Sequence, residues 1–221
     1  MSTHERGERT RLAIIEAASS TFESNGYTAA SLARIADLAQ CTRGALYYHF
    51  ASKQDLADAV REAAETTLRG LMDEARKPRE GQLPLQAVID LTHLTVARLA
   101  QDTVLRAGLL LRDEPNSEPA AAGTNDPAVD GAEWVRLAVD LLEQPDAQAA
   151  PGGGADAEAL GVVLSGLGLL YRVQPGPIGA VGLTRVWKLL LSGLVGSEGM
   201  ARYRPEGTGW VGTAAALGQP A

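Results

Sequence analysis

The chain has 221 residues, 45% hydrophobic but only 5% aromatic, and a formal net charge of −7. That composition suits a globular core built from Leu, Val and Ala and argues against a general nucleic-acid binder, because an acidic surface repels phosphate. Its single cysteine, Cys41, excludes an internal disulfide framework and suits a reducing cytoplasm. Residues 1–11 are polar with no apolar segment behind them, and apolar stretches such as 160–171 fall short of the ~20 residues that cross a bilayer. A soluble cytoplasmic protein with no membrane partner is expected.

Helical periodicity runs through the chain, and strand signals are nearly absent. Leu12, Ile15, Ser19 and Phe22 recur at three- and four-residue steps and outline a first helix from about residue 8 to 24. Asn25-Gly26 ends it, since glycine tolerates the left-handed conformation found at helix C-termini. Residues 31–53, SLARIADLAQCTRGALYYHFASK, read as two short helices joined by a tight turn. Ser31 is an N-cap for the first and Thr42 for the second. A helix barely two turns long must be held by its neighbours. Presenting such a held helix to a DNA groove is what a helix-turn-helix unit does.

A long fourth helix follows from about 52 to 77, with Leu56, Val60, Ala63, Thr67 and Leu71 on one face, closed by Pro78 and Gly81. Further helices are expected over 85–101 and 104–112. Residues 113–131 then form a Pro/Gly/Asn-rich loop, longer than most inside a compact domain. Helix resumes over 132–143, PGGG breaks the chain at 151–154, and two strongly apolar helices span 156–173 and 178–194. Helices apolar over much of their circumference must be buried on several sides. They make either an intermolecular four-helix contact or two central core helices; the contact is the preferred expectation. The tail from Arg204, rich in Gly and Pro, is expected to be disordered.

Charge position qualifies the acidic total. Residues 1–60 hold six Lys/Arg against seven Asp/Glu. Even so, Arg6, Arg9 and Arg11 lead into the first helix, Arg43 sits on the short second helix of the pair, and Lys53 begins the next.

The segment 9–53 resembles the DNA-binding domain of the TetR family of bacterial transcriptional regulators. The resemblance rests on Phe22, Asn25-Gly26-Tyr27, Ser31-Leu32, Ile35-Ala36, Ala39, Thr42-Arg43-Gly44-Ala45-Leu46-Tyr47-Tyr48-His49-Phe50 and Ser52-Lys53. It implies an all-α fold: a three-helix helix-turn-helix domain over 1–53, joined by the fourth helix to a larger ligand-binding and dimerisation domain over 54–203, with the tail at 204–221. It also implies operator DNA, a small-molecule effector and a second copy of the chain as partners. The DNA-facing set is Ser31, Thr42, Arg43, Gly44, Tyr47, Tyr48, His49 and Lys53. Thr42 can reach a phosphate while capping its helix, and Arg43 can donate two hydrogen bonds to a guanine edge. Gly44, lacking a side chain, lets the helix lie close to the DNA backbone. The two tyrosines supply hydroxyls, although one could instead be core. His49 and Lys53 are phosphate clamps, which fix register without reading sequence, and Leu46 and Phe50 pin the helix from behind.

One departure concerns the turn. Where the family has Ala-Gly-Val, this chain has Ala39-Gln40-Cys41, so Gln40 should cost up to about 1 kcal/mol if the turn keeps a positive φ. Cys41 then replaces valine as a small buried hydrophobe.

Asp90-Leu91-Thr92-His93, Arg106-Ala107-Gly108 and Trp134 are similar to the gamma-butyrolactone receptors of Streptomyces, a subgroup of the family. The resemblance implies a ligand pocket lined by Trp134, with Leu91, Thr95, Leu109, Leu164 and Gly168. Ala63-Ala64 stands where those receptors often carry Glu-Gln, which would change the ligand the pocket satisfies. An enzyme is not expected. There are three histidines, no HExxH, no GxSxG and no phosphate-binding glycine loop, and neither a cofactor nor a metal is implied. The expected function is a repressor released from a palindromic operator by a butyrolactone-like or antibiotic-like signal. The alternative is a helical small-molecule binder or scaffold that has lost specific DNA binding.

Overall fold

A computed structural model of the chain describes residues 3–77, 81–111, 136–137, 140, 160–162, 166 and 179–208. Among these residues eight helices are delimited and there is no strand. No described helix is long and apolar enough to cross a membrane. The chain forms two compact units, Met1–Leu68 with Gln101–Asp126 and Arg69–Ala100 with Pro127–Ala221.

The first unit contains α1 (Thr3–Ala29), α2 (Leu32–Leu38), α3 (Arg43–His49), the opening turns of α4 (Lys53–Arg76) and, after an excursion of the chain, α6 (Thr103–Leu111). α1 breaks where the sequence predicts. Gly26 adopts φ 76° and ψ 164°, a kink that only glycine takes without strain, and one further turn carries the helix to Ala29. Ile14, Ile15, Ala18 and Phe22 of α1 form a shared core with Ile35 and Ala36 of α2, Leu46, Phe50, and Leu56, Ala57 and Val60 of α4. Ala107 and Leu111 of α6 complete it.

Two details fasten α6 to this unit. Arg106 Nε donates to Glu23 Oε1 at 2.6 Å and Nη2 to Glu23 Oε2 at 3.3 Å, a two-pronged charge-assisted pair between α6 and α1. Gly108 crosses α4 so closely that a Cβ there would lie 2.3 Å from the Ala64 Cβ and 3.2 Å from the Val60 carbonyl. Ala64, singled out as a change of pocket chemistry, is therefore buried beneath α6 and owes its small size to this crossing.

The second unit holds α5 (Pro84–Gln101, up to Ala100), α7 (Ala180–Leu194) and α8 (Gly196–Met200). α5 is buried on every side from Pro84 to Leu94. Leu183, Trp187 and Leu191 form the buried stripe of α7, and the Trp187 indole Nε1 donates to Thr92 Oγ1 at 2.8 Å. The opposite side of α7 leaves Val181 and Leu189 exposed. The expected helix over 178–194 thus begins at Ala180. The loop at 113–131, the break at 151–154 and most of the helices at 132–143 and 156–173 lie outside the described residues. Residues 204–208, expected in a disordered tail, are instead hydrogen-bonded to α5; 209–221 lie outside the described residues.

Candidate nucleic-acid interface

The turn between α2 and α3 is built by hydrogen bonds that run back onto α2. Gln40 N–H donates to Asp37 O at 3.1 Å and Cys41 N–H to Ala36 O at 3.0 Å. This is the Schellman pattern, which needs a left-handed residue just past the helix end. Gln40 supplies it with φ 53° and is the one non-glycine residue of positive φ among those described. The geometry predicted from the sequence is kept, and its cost falls on a residue with a Cβ. Cys41 packs against the core of the first unit, and partial burial pushes its thiol pKa up, away from the reactive thiolate.

Thr42 then opens α3 from an extended backbone, its Oγ1 accepting the Ala45 N–H at 3.1 Å. Leu46, 1% exposed, and Phe50, 4% exposed, anchor the inner side of the helix. Arg11 from α1 lies 5.5 Å from the Phe50 ring centre, a cation–π contact that sequence reasoning missed because it depends on how α1 lies over α3. With the inner side pinned, the outer side carries Arg43, Gly44, Tyr47 and Tyr48, all exposed. Tyr47 is 54% and Tyr48 86% accessible, so neither is core.

His49 is half-buried, edge-on to Tyr48 with ring centres 5.3 Å apart. Lys53 is also half-buried. Its Nζ donates to Thr28 O at 3.0 Å and sits 4.6 Å from the Tyr27 ring centre, so the lysine staples the start of α4 to the end of α1. Ser31 occupies the N-cap position of α2 and is exposed, but its side chain makes no capping bond, contrary to expectation. The eight expected DNA-facing residues therefore fall into five exposed residues of α3 and its cap, Thr42, Arg43, Gly44, Tyr47 and Tyr48, with exposed Ser31 and half-buried His49 and Lys53 beside them.

The expected ligand residues divide differently. Leu91 and Thr95 lie one turn apart on α5, Leu91 fully buried. Among the described residues the Thr95 hydroxyl oxygen is buried without a hydrogen-bond partner, an unusual state for a polar group. Leu109 belongs to α6 in the first unit and is half-buried. Trp134, Leu164 and Gly168 lie outside the described residues. Among the described residues no cluster of His, Cys, Asp and Glu could hold a metal ion.

Comparison with known proteins accords with this arrangement. The model of the tetR family of bacterial regulatory proteins matches residues 14–60, α1 through the start of α4. A solved gamma-butyrolactone receptor, an ArpA-like protein, is 31% identical with a TM-score of 0.68, over 96% of this chain and 97% of that one. CprB from Streptomyces coelicolor, a TetR family protein solved in complex with its operator sequence, is 31% identical with a TM-score of 0.71, over 96% and 98%. The A-factor receptor protein of Streptomyces griseus is 28% identical over 94% of this chain and 71% of its own length. Proteins of this kind are regulators that bind DNA, not enzymes. Whole-length likeness at this identity, with the helix-turn-helix geometry above, makes the chain a member of the TetR family of bacterial regulatory proteins.

Proposed function

We propose that the chain is a cytoplasmic, homodimeric repressor that leaves a palindromic operator when a small signalling molecule binds. The observation that carries this reading is α3, a two-turn helix pinned by Leu46 and Phe50 with Arg43, Gly44, Tyr47 and Tyr48 turned to solvent. Residues 1–53 are the DNA-binding domain. Arg43 reads a base edge, Tyr47 and Tyr48 contact bases or phosphates, and Ser31, Thr42, His49 and Lys53 meet the phosphate backbone. Two copies would place their α3 helices in successive major grooves about 34–36 Å apart.

Residues 54–203 bind the effector and the second copy. Exposed Val181 and Leu189 on α7 support a dimer contact. The Thr95 hydroxyl, without a partner among the described residues and one turn from Leu91, supports an effector that brings a hydrogen-bonding group to α5, and Trp134, Leu164 and Gly168 are the further contacts proposed for it. Similarity to gamma-butyrolactone receptors supports a lactone or an antibiotic-like signal. Release would be a population shift with α4 as lever, since that helix begins beside α3 at Lys53 and continues past Leu68 into the second unit. A gel shift with DNA from upstream of the protein's own gene tests the reading. A specific complex containing two protomers is expected. No specific shift at low salt would favour a helical scaffold that has lost DNA binding.

A further inference from the structure

Beyond α8, residues 204–208 run along α5 and are held there by polar groups. Gln86 brackets Arg204, its Nε2 donating to Arg204 O at 3.2 Å while its Oε1 accepts Arg204 N–H at 2.8 Å. His93 Nε2 lies 2.8 Å from Pro205 O. A carbonyl only accepts, so that nitrogen carries the proton. Asp90 takes Thr208 N–H at 2.8 Å on Oδ1 and Thr208 Oγ1 at 2.9 Å on Oδ2. Gly207, at φ 79°, turns the segment tightly enough that a Cβ would lie 3.4 Å from Asp90 Oδ1 and 3.5 Å from His93 Cδ2.

The two sides of this contact differ. Gln86, Asp90 and His93 are buried, whereas Arg204, Glu206 and Thr208 are exposed and none of 204–208 is buried; Tyr203, just before the segment, is. An apolar strap could lift only by exposing hydrocarbon to water; a hydrogen-bonded one exchanges its bonds for water at small net cost. Asp90 is also prepared for that exchange. Gln82 Nε2 at 2.9 Å and Gln86 Nε2 at 3.0 Å donate to the same carboxylate and stay with it when the segment leaves. At 100° per residue, Gln86, Asp90 and His93 share one face of α5, and Leu91 and Thr95 lie about 150° away around the helix.

We propose that residues 204–208 are a detachable latch, that the Gln86–Asp90–His93 face of α5 is its receptor, and that the docked form is the operator-binding form. A helix gripped from two sides links the grips: whatever moves α5 from the Leu91–Thr95 side loosens the latch, and an undocked latch favours release. The inference rests on the regulator reading above. The test uses full-length Gly207→Val, which strains the turn and crowds Asp90 without altering α5, with Thr208→Ala as the milder variant should the first not fold.

Hydrogen exchange is followed at 204–208, and affinity for the upstream DNA fragment is measured well below the melting temperature. Exchange at the latch should speed at least tenfold and DNA affinity fall at least fivefold, while exchange in α1–α3 stays as in the parent protein. A freed latch with unchanged or raised DNA affinity makes the segment a plain fastening and overturns the proposal. So does a latch that stays protected in Gly207→Val, or in Thr208→Ala where that variant stands in. Parent protein that shifts no DNA overturns the regulator reading itself, and the latch's output with it.

Discussion

Gly44→Ala separates what α3 needs from what its partner needs. Glycine in a helix costs up to about 1 kcal/mol relative to alanine. Position 44 lies in the first turn, where less of that cost applies, so about 0.5 kcal/mol is the expected gain. Nothing in the protein opposes it, since an added Cβ would meet only Thr42 Oγ1, at an ordinary 3.8 Å. For a chain of this size the melting temperature should rise by about 1–2 °C. The same methyl points outward from the exposed side of α3, where the proposed DNA backbone approaches. Losing one charge-assisted phosphate contact is worth about 1.5–3 kcal/mol, or roughly ten- to a hundredfold in affinity. A thermal melt and a gel shift on the same sample should therefore move in opposite senses. A raised melt with unchanged DNA affinity would remove Gly44 from the interface and undermine the orientation assigned to α3.

Three further substitutions probe single contacts. Thr95→Val keeps the shape of the side chain but removes a buried hydroxyl that has no partner among the described residues. Such groups cost about 1–3 kcal/mol, so the melt should hold or rise while release of DNA by a synthetic γ-butyrolactone is lost; a lower melt would show that the hydroxyl is satisfied. Gln40→Gly relieves the positive φ and should add up to about 1 kcal/mol in chemical denaturation with DNA binding retained. A destabilised variant would contradict the turn geometry. Gly108→Ala forces α4 and α6 apart and should cost about 1–3 kcal/mol, with partial recovery in Gly108→Ala/Ala64→Gly, where the colliding methyl is gone. Absence of recovery would mean that the strain lies against the Val60 carbonyl instead.

Much of the first unit could be read from local chemistry. Gly26 and Thr42 each meet a backbone requirement set by their immediate neighbours, so the break in α1 and the start of α3 followed from residue type and spacing, whereas the positive φ at Gln40 was implied only by the glycine the TetR family carries there. Leu46 and Phe50 were legible as the inner side of α3, whereas the sequence left one of Tyr47 and Tyr48 open as core and both are exposed. Tertiary relations left weaker traces. Nothing in residues 103–111 marks α6 as part of the first unit; that depends on Glu23, eighty-three positions away, and on small residues at 64 and 108 whose value appears only when two helices cross. Residues 204–208 looked like tail because they have no apolar periodicity. They are ordered by side chains of α5, and a segment bound through its backbone carries little signal of its own. Ser31 shows the opposite failure, a capping residue at a cap position whose hydroxyl makes no cap bond.

How an acidic protein grips a polyanion sets a last expectation. Net charge cannot supply the attraction, and residues 1–60 are not basic overall. Arg6 and Arg9 are exposed but interleaved with Glu5 and Glu8 on α1, and Arg11 is turned toward Phe50. Of the proposed DNA-facing residues, only Arg43 and Lys53 are Lys or Arg. Arg43 is assigned to a base edge and Lys53 to phosphate, which gives about two phosphate neutralisations per dimer, so log K against log salt should have a slope of roughly −0.9 × 2, near −1.8. From 50 to 200 mM salt the affinity would then drop about 12-fold, a shallow dependence beside that of strongly basic repressors. The remaining free energy must come from uncharged contacts by Thr42, Tyr47, Tyr48 and the backbone at Gly44, which salt hardly screens. Titration of one operator fragment across that salt range measures the slope directly. A value near −7 would mean that Arg6, Arg9 and Arg34 also reach phosphate, and the footprint drawn around α3 would be too small.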